Sequence, residues 1–258
     1  IRLCPERERM MGELLNVTGL KKGPILHGVD FAMKEGELAA IMGPSGSGKS
    51  TLLYQLARMD QPDSGSIVFQ GKEIAGLTDD ASAALRLEQM GFVFQYMNMI
   101  ANLKLLDNIL LPGVQLRKKK KDGRTPGEME REARELMQKL GIDGLETRDI
   151  TEVSGGQLQR ACICRALINH PAIVFADEPT GALNRKASEE GMKEFIRLNR
   201  EGKSILMVTH DSRIAGMCDT VWYLVDGQME GKLELGKYRE DERAGREERM
   251  KKWLENFE

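Results

Sequence analysis

Among the unbroken apolar runs of this 258-residue chain are Leu38-Ala39-Ala40-Ile41-Met42, Ile173-Val174-Phe175-Ala176 and Ile205-Leu206-Met207-Val208. Runs of four or five apolar residues without polar alternation suit strands buried on both faces of a parallel sheet. The last two end in polar groups, Asp177-Glu178 and Thr209-His210-Asp211, and strand ends are where α/β sheets place their ligands. Leu14–Val17, Ile25–Met33 and Ser66–Phe69 read as strands of an antiparallel layer, with turns at Lys22-Gly23-Pro24 and Asp63-Ser64-Gly65.

Helical spacing takes over elsewhere. Leu52, Leu53, Leu56 and Ala57 share one face of a helix predicted from Ser50 to Met59. A mainly helical middle, roughly Phe92 to Ile168, is broken by the basic run Arg117–Lys121 and the loop Asp122-Gly123-Arg124-Thr125-Pro126-Gly127. Within it, Met129, Ala133, Leu136, Met137 and Leu140 define a helix from Glu128 to Leu140 that Gly141 should stop. The segment Tyr238–Glu258 carries Met250, Trp253, Leu254 and Phe257 at i, i+3, i+4 and i+7. That spacing predicts one amphipathic helix, packed either on its own domain or against a partner or membrane surface.

Composition narrows the class. Hydrophobic residues, 41% of the chain, suffice for a core, and one domain with a subdomain is expected. Charged residues make up 30% but nearly cancel to a formal net charge of −2, so nothing global argues for wrapping nucleic acid. No apolar stretch approaches the roughly 18 residues of a membrane-crossing helix, and no secretory signal opens the chain, so the sequence reads as cytosolic. Residues 1–10 are charged and aperiodic, and are expected to be a disordered or vector-derived leader before Met10-Met11. Cys4, Cys162, Cys164 and Cys218 form neither a disulfide framework nor a metal-binding spacing.

The chemistry starts where the first apolar run ends. Gly43-Pro44-Ser45-Gly46-Ser47-Gly48-Lys49-Ser50-Thr51 contains Gly-x4-Gly-Lys-Ser between a strand and a helix. Glycines let successive backbone N–H groups face a phosphate, Lys49 adds a point charge, Ser50 offers a hydroxyl to Mg²⁺, and the helix N-terminus adds its positive end. Asp177, closing the run Ile173–Ala176, can hold the metal's water shell, and Glu178 can orient or deprotonate an attacking water. A third element, Ser154-Gly155-Gly156-Gln157, opens a helix without a preceding strand and offers a second anion site. If the helical middle separates it from the first cradle, two chains must share two nucleotides.

With GPSGSGKST, VSGGQ and VFADEPT in that order, the sequence resembles the ABC-type ATPases from Leu14 to about Gly236. The resemblance implies an α/β fold: a P-loop NTPase (RecA-like) core with an N-terminal antiparallel β layer and an inserted helical subdomain at about 92–168. An ATP-binding domain over 11–236 follows from it, and the charged amphipathic helix read from spacing takes 237–258. ATP and Mg²⁺ would be the ligands. Phosphate binding would fall to the nine residues Gly43–Thr51 and, across a dimer, to Ser154, Gly155, Gly156 and Gln157. Ser50, Gln95 and Asp177 would face Mg²⁺, Glu178 would be the catalytic carboxylate, Gln95 the loop glutamine that senses metal and water, and His210 the switch histidine on the γ-phosphate.

Three positions depart from the pattern. Asn184 stands where the family usually has Asp, Val153 replaces Leu, and Leu20–Ile25 lacks the aromatic residue that stacks on adenine. The text from Gly181, GALNRKASEE, with THDSRIAGMCDTVWYLVDGQMEGKLELG, resembles the bacterial MacB/LolD-like branch. That branch implies a dimer of this chain on an FtsX-like permease at the cytoplasmic face of the bacterial membrane, moving a lipoprotein, antimicrobial peptide or macrolide, with no nucleic-acid partner. A soluble ABC ATPase and a slowly hydrolysing, nucleotide-gated regulatory module are the alternatives.

Overall fold

A computed structural model describes residues 12–119, 123–181 and 185–257. The leader, Lys120 and Lys121 of the basic run, and Asn184 lie outside the described residues. The chain divides into two compact units, residues 12–83 with 198–257, and residues 84–197.

In the first unit β1 (Glu13–Lys22) pairs antiparallel with β2 (Leu26–Lys34), Leu15 opposite Met33 and Val17 opposite Phe31. Its other edge takes β4 (Ser64–Phe69), followed by the short β5 (Lys72–Glu73). The second sheet of this unit centres on β3 (Leu38–Met42), parallel to both β8 (Ser204–Val208) and β9 (Thr220–Val225), with β10 (Gln228–Glu234) antiparallel beyond β9. Every residue of β3 and β8 is buried, which explains their uninterrupted apolar runs. Helix α1 (Lys49–Leu56) ends three residues before the predicted Met59. The chain turns left-handed at Arg58 (φ 53°), whose buried guanidinium reaches the Leu77 carbonyl at 3.1 Å.

The second unit begins in α2 (Asp79–Gln89) and carries the parallel pair β6 (Met90–Phe94) and β7 (Ile173–Asp177). The predicted helical middle therefore opens with a strand, not a helix, at Phe92: its ring stacks on Phe175 at 5.7 Å. Gly91 lets β6 pass close to a helix, since a Cβ there would stand 2.4 Å from the Ala166 carbonyl oxygen. Helices α3 (Leu105–Lys118), α4 (Pro126–Lys139) and α5 (Gly155–Leu167) pack by buried stripes including Ile109 and Leu116, Met129, Ala133 and Met137, and Ile163. Helix α4 starts two residues before the predicted Glu128, because Thr125 and Glu128 form a reciprocal capping box with Pro126 in the first turn. The long α6 (Arg185–Arg200) follows β7.

The chain's last segment is shorter as a helix than its periodicity predicts. After a 3₁₀ turn at Glu240–Glu242, the helix α8 spans Arg243–Leu254, while Tyr238 lies buried under the Arg246 guanidinium at 5.3 Å. Of the two placements the stripe leaves open, the structure shows packing on its own unit: Trp253 and Phe257 sit 5.9 and 4.7 Å from the Tyr223 ring of β9.

Candidate functional site

In the first unit the Gly43–Thr51 loop leaves the end of β3 and turns directly into α1. Gly43 is buried with φ 154°, and a Cβ on it would lie 1.9 Å from the Leu224 carbonyl oxygen and 2.9 Å from Ser47 Oγ. Gly48, the N-cap of α1, has φ 98° and no side chain to cap the helix. Lys49 is buried and donates from Nζ to the Gly43 and Pro44 carbonyls at 2.9 and 2.7 Å. Gly227 N–H, in the turn between β9 and β10, donates to the Ser47 carbonyl at 3.1 Å and fixes the base of the loop. Pro44, Ser45 and Gly46 are exposed, and Ser50 and Thr51 are half-buried at the start of α1. Among the described residues the buried Ser47 Oγ has no hydrogen-bond partner, and α1 has no acidic residue in its first turn. These features fit a phosphate: a buried cation, a buried hydroxyl beside it and a helix end without an anion of its own.

His210 is exposed beyond the end of β8, the strand beside β3. Ile41 opposes Val208 and the Thr209 N–H donates to the Ile41 carbonyl at 3.1 Å, so the loop and His210 emerge from one edge of the sheet. Asp211 then caps the short α7 (Ser212–Ala215), accepting from Arg213 N–H at 2.9 Å.

In the second unit Phe94 opposes Asp177, and Gln95 and Glu178 follow them as neighbours. Glu178 is left-handed (φ 46°), and the Gly181 N–H donates to its carbonyl at 2.9 Å, closing a tight turn. The Gln95 amide lies against that turn: a Cβ on Gly181 would be 2.9 Å from Gln95 Nε2. After Gln95 the chain is left-handed at Met97 and Asn98, and Arg165 of α5 donates to both their carbonyls at 2.7 and 2.6 Å. Buried Asn108 holds Ile100 through its N–H at 2.7 Å and carbonyl at 3.1 Å. Among the exposed large apolar residues, Tyr96 and Ile100 of this segment are 82% and 45% exposed.

The Ser154–Gln157 element heads α5 in the same unit. Ser154 Oγ accepts from the Gln157 N–H at 3.3 Å, and Gln157 Oε1 accepts from the Ser154 N–H at 2.8 Å. This box occupies the Gln157 side chain and leaves Gly155 exposed at the helix start. Two turn-facing residues escape sequence reasoning: Gln159, which reads as one more polar helix position, and Gly191, whose placement inside α6 is the available signal. Cys162 and Cys164 are buried; burial pushes the Cys162 thiol up to about 11, against the opposing charge of Arg165, and its Sγ donates to the Met97 carbonyl. No group of three or more His, Cys, Asp or Glu side chains suited to a metal occurs among the described residues, and none of their helices is long and apolar enough to cross a membrane.

The chain belongs to the ABC transporter family, whose profile matches residues 26–181. It is an ATP-hydrolysing cassette of that family, related to the LolD and MacB ATP-binding proteins. It is 37% identical to the lipoprotein-releasing system ATP-binding protein LolD of Aquifex aeolicus, over 86% of this chain and 99% of that one. It is 43% identical to the macrolide export ATP-binding/permease protein MacB of Bradyrhizobium diazoefficiens over 82% of this chain, which spans 31% of that longer protein. Among solved structures, a dimeric ATP-binding cassette in a post-hydrolysis state bound to ADP and Pi superposes with a TM-score of 0.76 at 35% identity, covering 87% of this chain and all of that one.

Proposed function

We propose that this chain is the motor subunit of a bacterial transporter: two copies close on two ATP molecules and drive an FtsX-like permease from the cytoplasmic face of the membrane. The cargo class is a lipoprotein, an antimicrobial peptide or a macrolide-like compound, and nucleic acid is not a partner. The observation that carries the catalytic part is the register of β6 and β7, which delivers Gln95 and Glu178 side by side at one strand edge. Glu178 takes a proton from the water that attacks the γ-phosphorus, and the β–γ bridging oxygen leaves with ADP. Lys49 and the amides of the Gly43–Thr51 loop hold the phosphates, His210 faces the γ-phosphate, and Ser154, Gly155, Gly156 and Gln157 of the second copy complete the cradle. Mg²⁺, when bound, neutralises charge on the β- and γ-phosphates; Ser50, Asp177 and Gln95 are the residues assigned to it.

Exposed Tyr96 and Ile100, on a segment braced from within by Arg165 and Asn108, support docking of the permease beside Gln95. The assembly is tested by light scattering of Glu178→Gln and Lys49→Ala in saturating Mg-ATP. Glu178→Gln is expected to accumulate as a dimer and Lys49→Ala to remain monomeric. A Glu178→Gln chain that stays monomeric both with and without its permease would overturn the shared-site reading.

A further inference from the structure

Gln159 stands in the second turn of α5 and is 1% exposed. A buried glutamine must satisfy its amide, and this one donates from Nε2 to the Pro179 carbonyl at 2.8 Å. Pro179 immediately follows Glu178. The other side of the amide is walled by α6, where a Cβ on Gly191 would fall 2.3 Å from Gln159 Oε1 and 2.7 Å from Nε2. Only a residue without a side chain lets the helix approach this closely. The amide is thus clasped between a main-chain acceptor and a helix backbone, and rotating it would break the first contact or collide with the second.

The turn it grips is held at successive points. Ser188 Oγ of α6 donates to the Thr180 carbonyl at 3.2 Å, and Gln95 lies against Gly181. Glu178 itself takes a left-handed backbone that a non-glycine residue adopts only when its surroundings impose it. The Pro179 ring fixes its own φ, so anchoring the Pro179 carbonyl limits the remaining freedom of the peptide planes beside Glu178. Gln159 is the tie in this set that comes from α5, and α5 begins at Ser154, Gly155 and Gly156.

We propose that Gln159 is a positioning residue that couples the two ATP sites of the dimer: it transmits the placement of the α5 N-terminus, set by the partner chain's ATP, to the aim of Glu178 at this chain's own ATP. A helix moves as a rigid rod over one turn, so a shift of Gly155 on engaging phosphate is a shift of Gln159 and of the Pro179 carbonyl. Misplacing a catalytic group by about 1 Å can cost about a hundredfold in rate, so a small displacement suffices to make hydrolysis conditional on the partner site. This inference rests on the assignment of Glu178 as the catalytic carboxylate.

The test uses the full chain and Mg-ATP. Gln159→Met preserves length and removes the N–H donor. It is expected to keep KM within about twofold while kcat falls at least tenfold, and to close into the ATP-bound dimer normally when combined with Glu178→Gln. Gly191→Ala displaces the same amide from the other side and is expected to give the same split. The double variant should be no slower than Gln159→Met, since both lesions break one contact. A merely structural role would lower melting temperature and active fraction but leave kcat per folded site unchanged; that result overturns the proposal, as does native kcat in Gln159→Met or strict additivity of the pair. Should Gln159→Met not fold, Gly191→Ala carries the same readouts. Glu178→Gln measured alone separates the two failures: native turnover there removes the catalytic assignment, whereas a dead Glu178→Gln beside a normal Gln159→Met removes only the coupling role.

Discussion

Phe94 and Asp177 are opposed in adjacent parallel strands, and the chain leaves both strands at the same level. The consequence is that Gln95 and Glu178, 83 positions apart, begin their turns side by side and meet across Gly181. Removing either should damage one shared function. Glu178→Gln is expected to lower kcat by at least about a hundredfold, the scale of a lost general base, with ATP affinity retained. Gln95→Ala should cost less, and the double variant should be no slower than Glu178→Gln; single-turnover hydrolysis measures all three.

Gly43 and Gly46 differ in what surrounds them. A methyl on Gly43 would clash with the Leu224 carbonyl oxygen at 1.9 Å, whereas Gly46, at φ 83°, has nothing within 4 Å of the same position. Gly43→Ala is expected to abolish ATP binding and lower the melting temperature. Gly46→Ala should cost about 1–2 kcal/mol for its left-handed backbone and retain weakened binding, as titration calorimetry can check.

Arg246 is a buried cation surrounded by main-chain acceptors. Its guanidinium donates to Gly216 and Cys218 on one side and to Leu235, Gly236 and Lys237 on the other, at 2.6 to 3.4 Å. Arg246→Met leaves several of these carbonyls without a donor and is expected to destabilise by about 2–4 kcal/mol in urea unfolding. Arg246→Lys should recover little, because one ammonium cannot span a fork of acceptors.

Asp211 predicts a dependence on acid. Burial pushes its carboxyl up, but hydrogen bonds from the Arg213 side chain and N–H outweigh this and hold it below the usual carboxylate range. A lowered folded-state pKa means that the stabilisation is present above the unfolded carboxylate's pKa and disappears as pH falls through the folded value. Asp211→Asn should therefore be less stable than the native chain at pH 7, and the gap should narrow as the pH falls below the usual carboxylate range; urea midpoints measured across that range check it.

The parallel strands β3, β7 and β8 are readable from sequence because total burial demands continuous apolar residues. The strand, turn and helix around Gly43–Thr51 are readable because their signal is local. β10 is not, since its residues alternate between half-buried and exposed at a sheet edge and include Gln, Glu, Lys and Gly. The hairpin signal there is Asp226-Gly227, which apolar periodicity passes over. Gln159 is hidden for a different reason: polarity in a helix suggests solvent, and only the approach of Gly191 and Pro179 reveals burial. The full extent of β6 is harder to read, because a strand of five residues between helices carries too short a pattern to mark its own bounds.

Trp253 of α8 and Phe257 just beyond it rest where β10 has no side chain: a Cβ on Gly231 would meet Phe257 Cζ at 2.6 Å and Trp253 Cζ2 at 3.1 Å. For anyone engineering a sturdier version of this cassette, that seat turns a familiar recipe around. Replacing strand glycines by better strand formers would here eject a neighbouring ring, and the same treatment of Gly191 would strike an amide. Gly245, inside α8 with open space around it, is the safe target, and an alanine there should raise stability by about 0.5–1 kcal/mol. Which glycines this fold can spare is therefore a property of what packs over them, and propensity tables applied position by position would choose wrongly at the places that matter most.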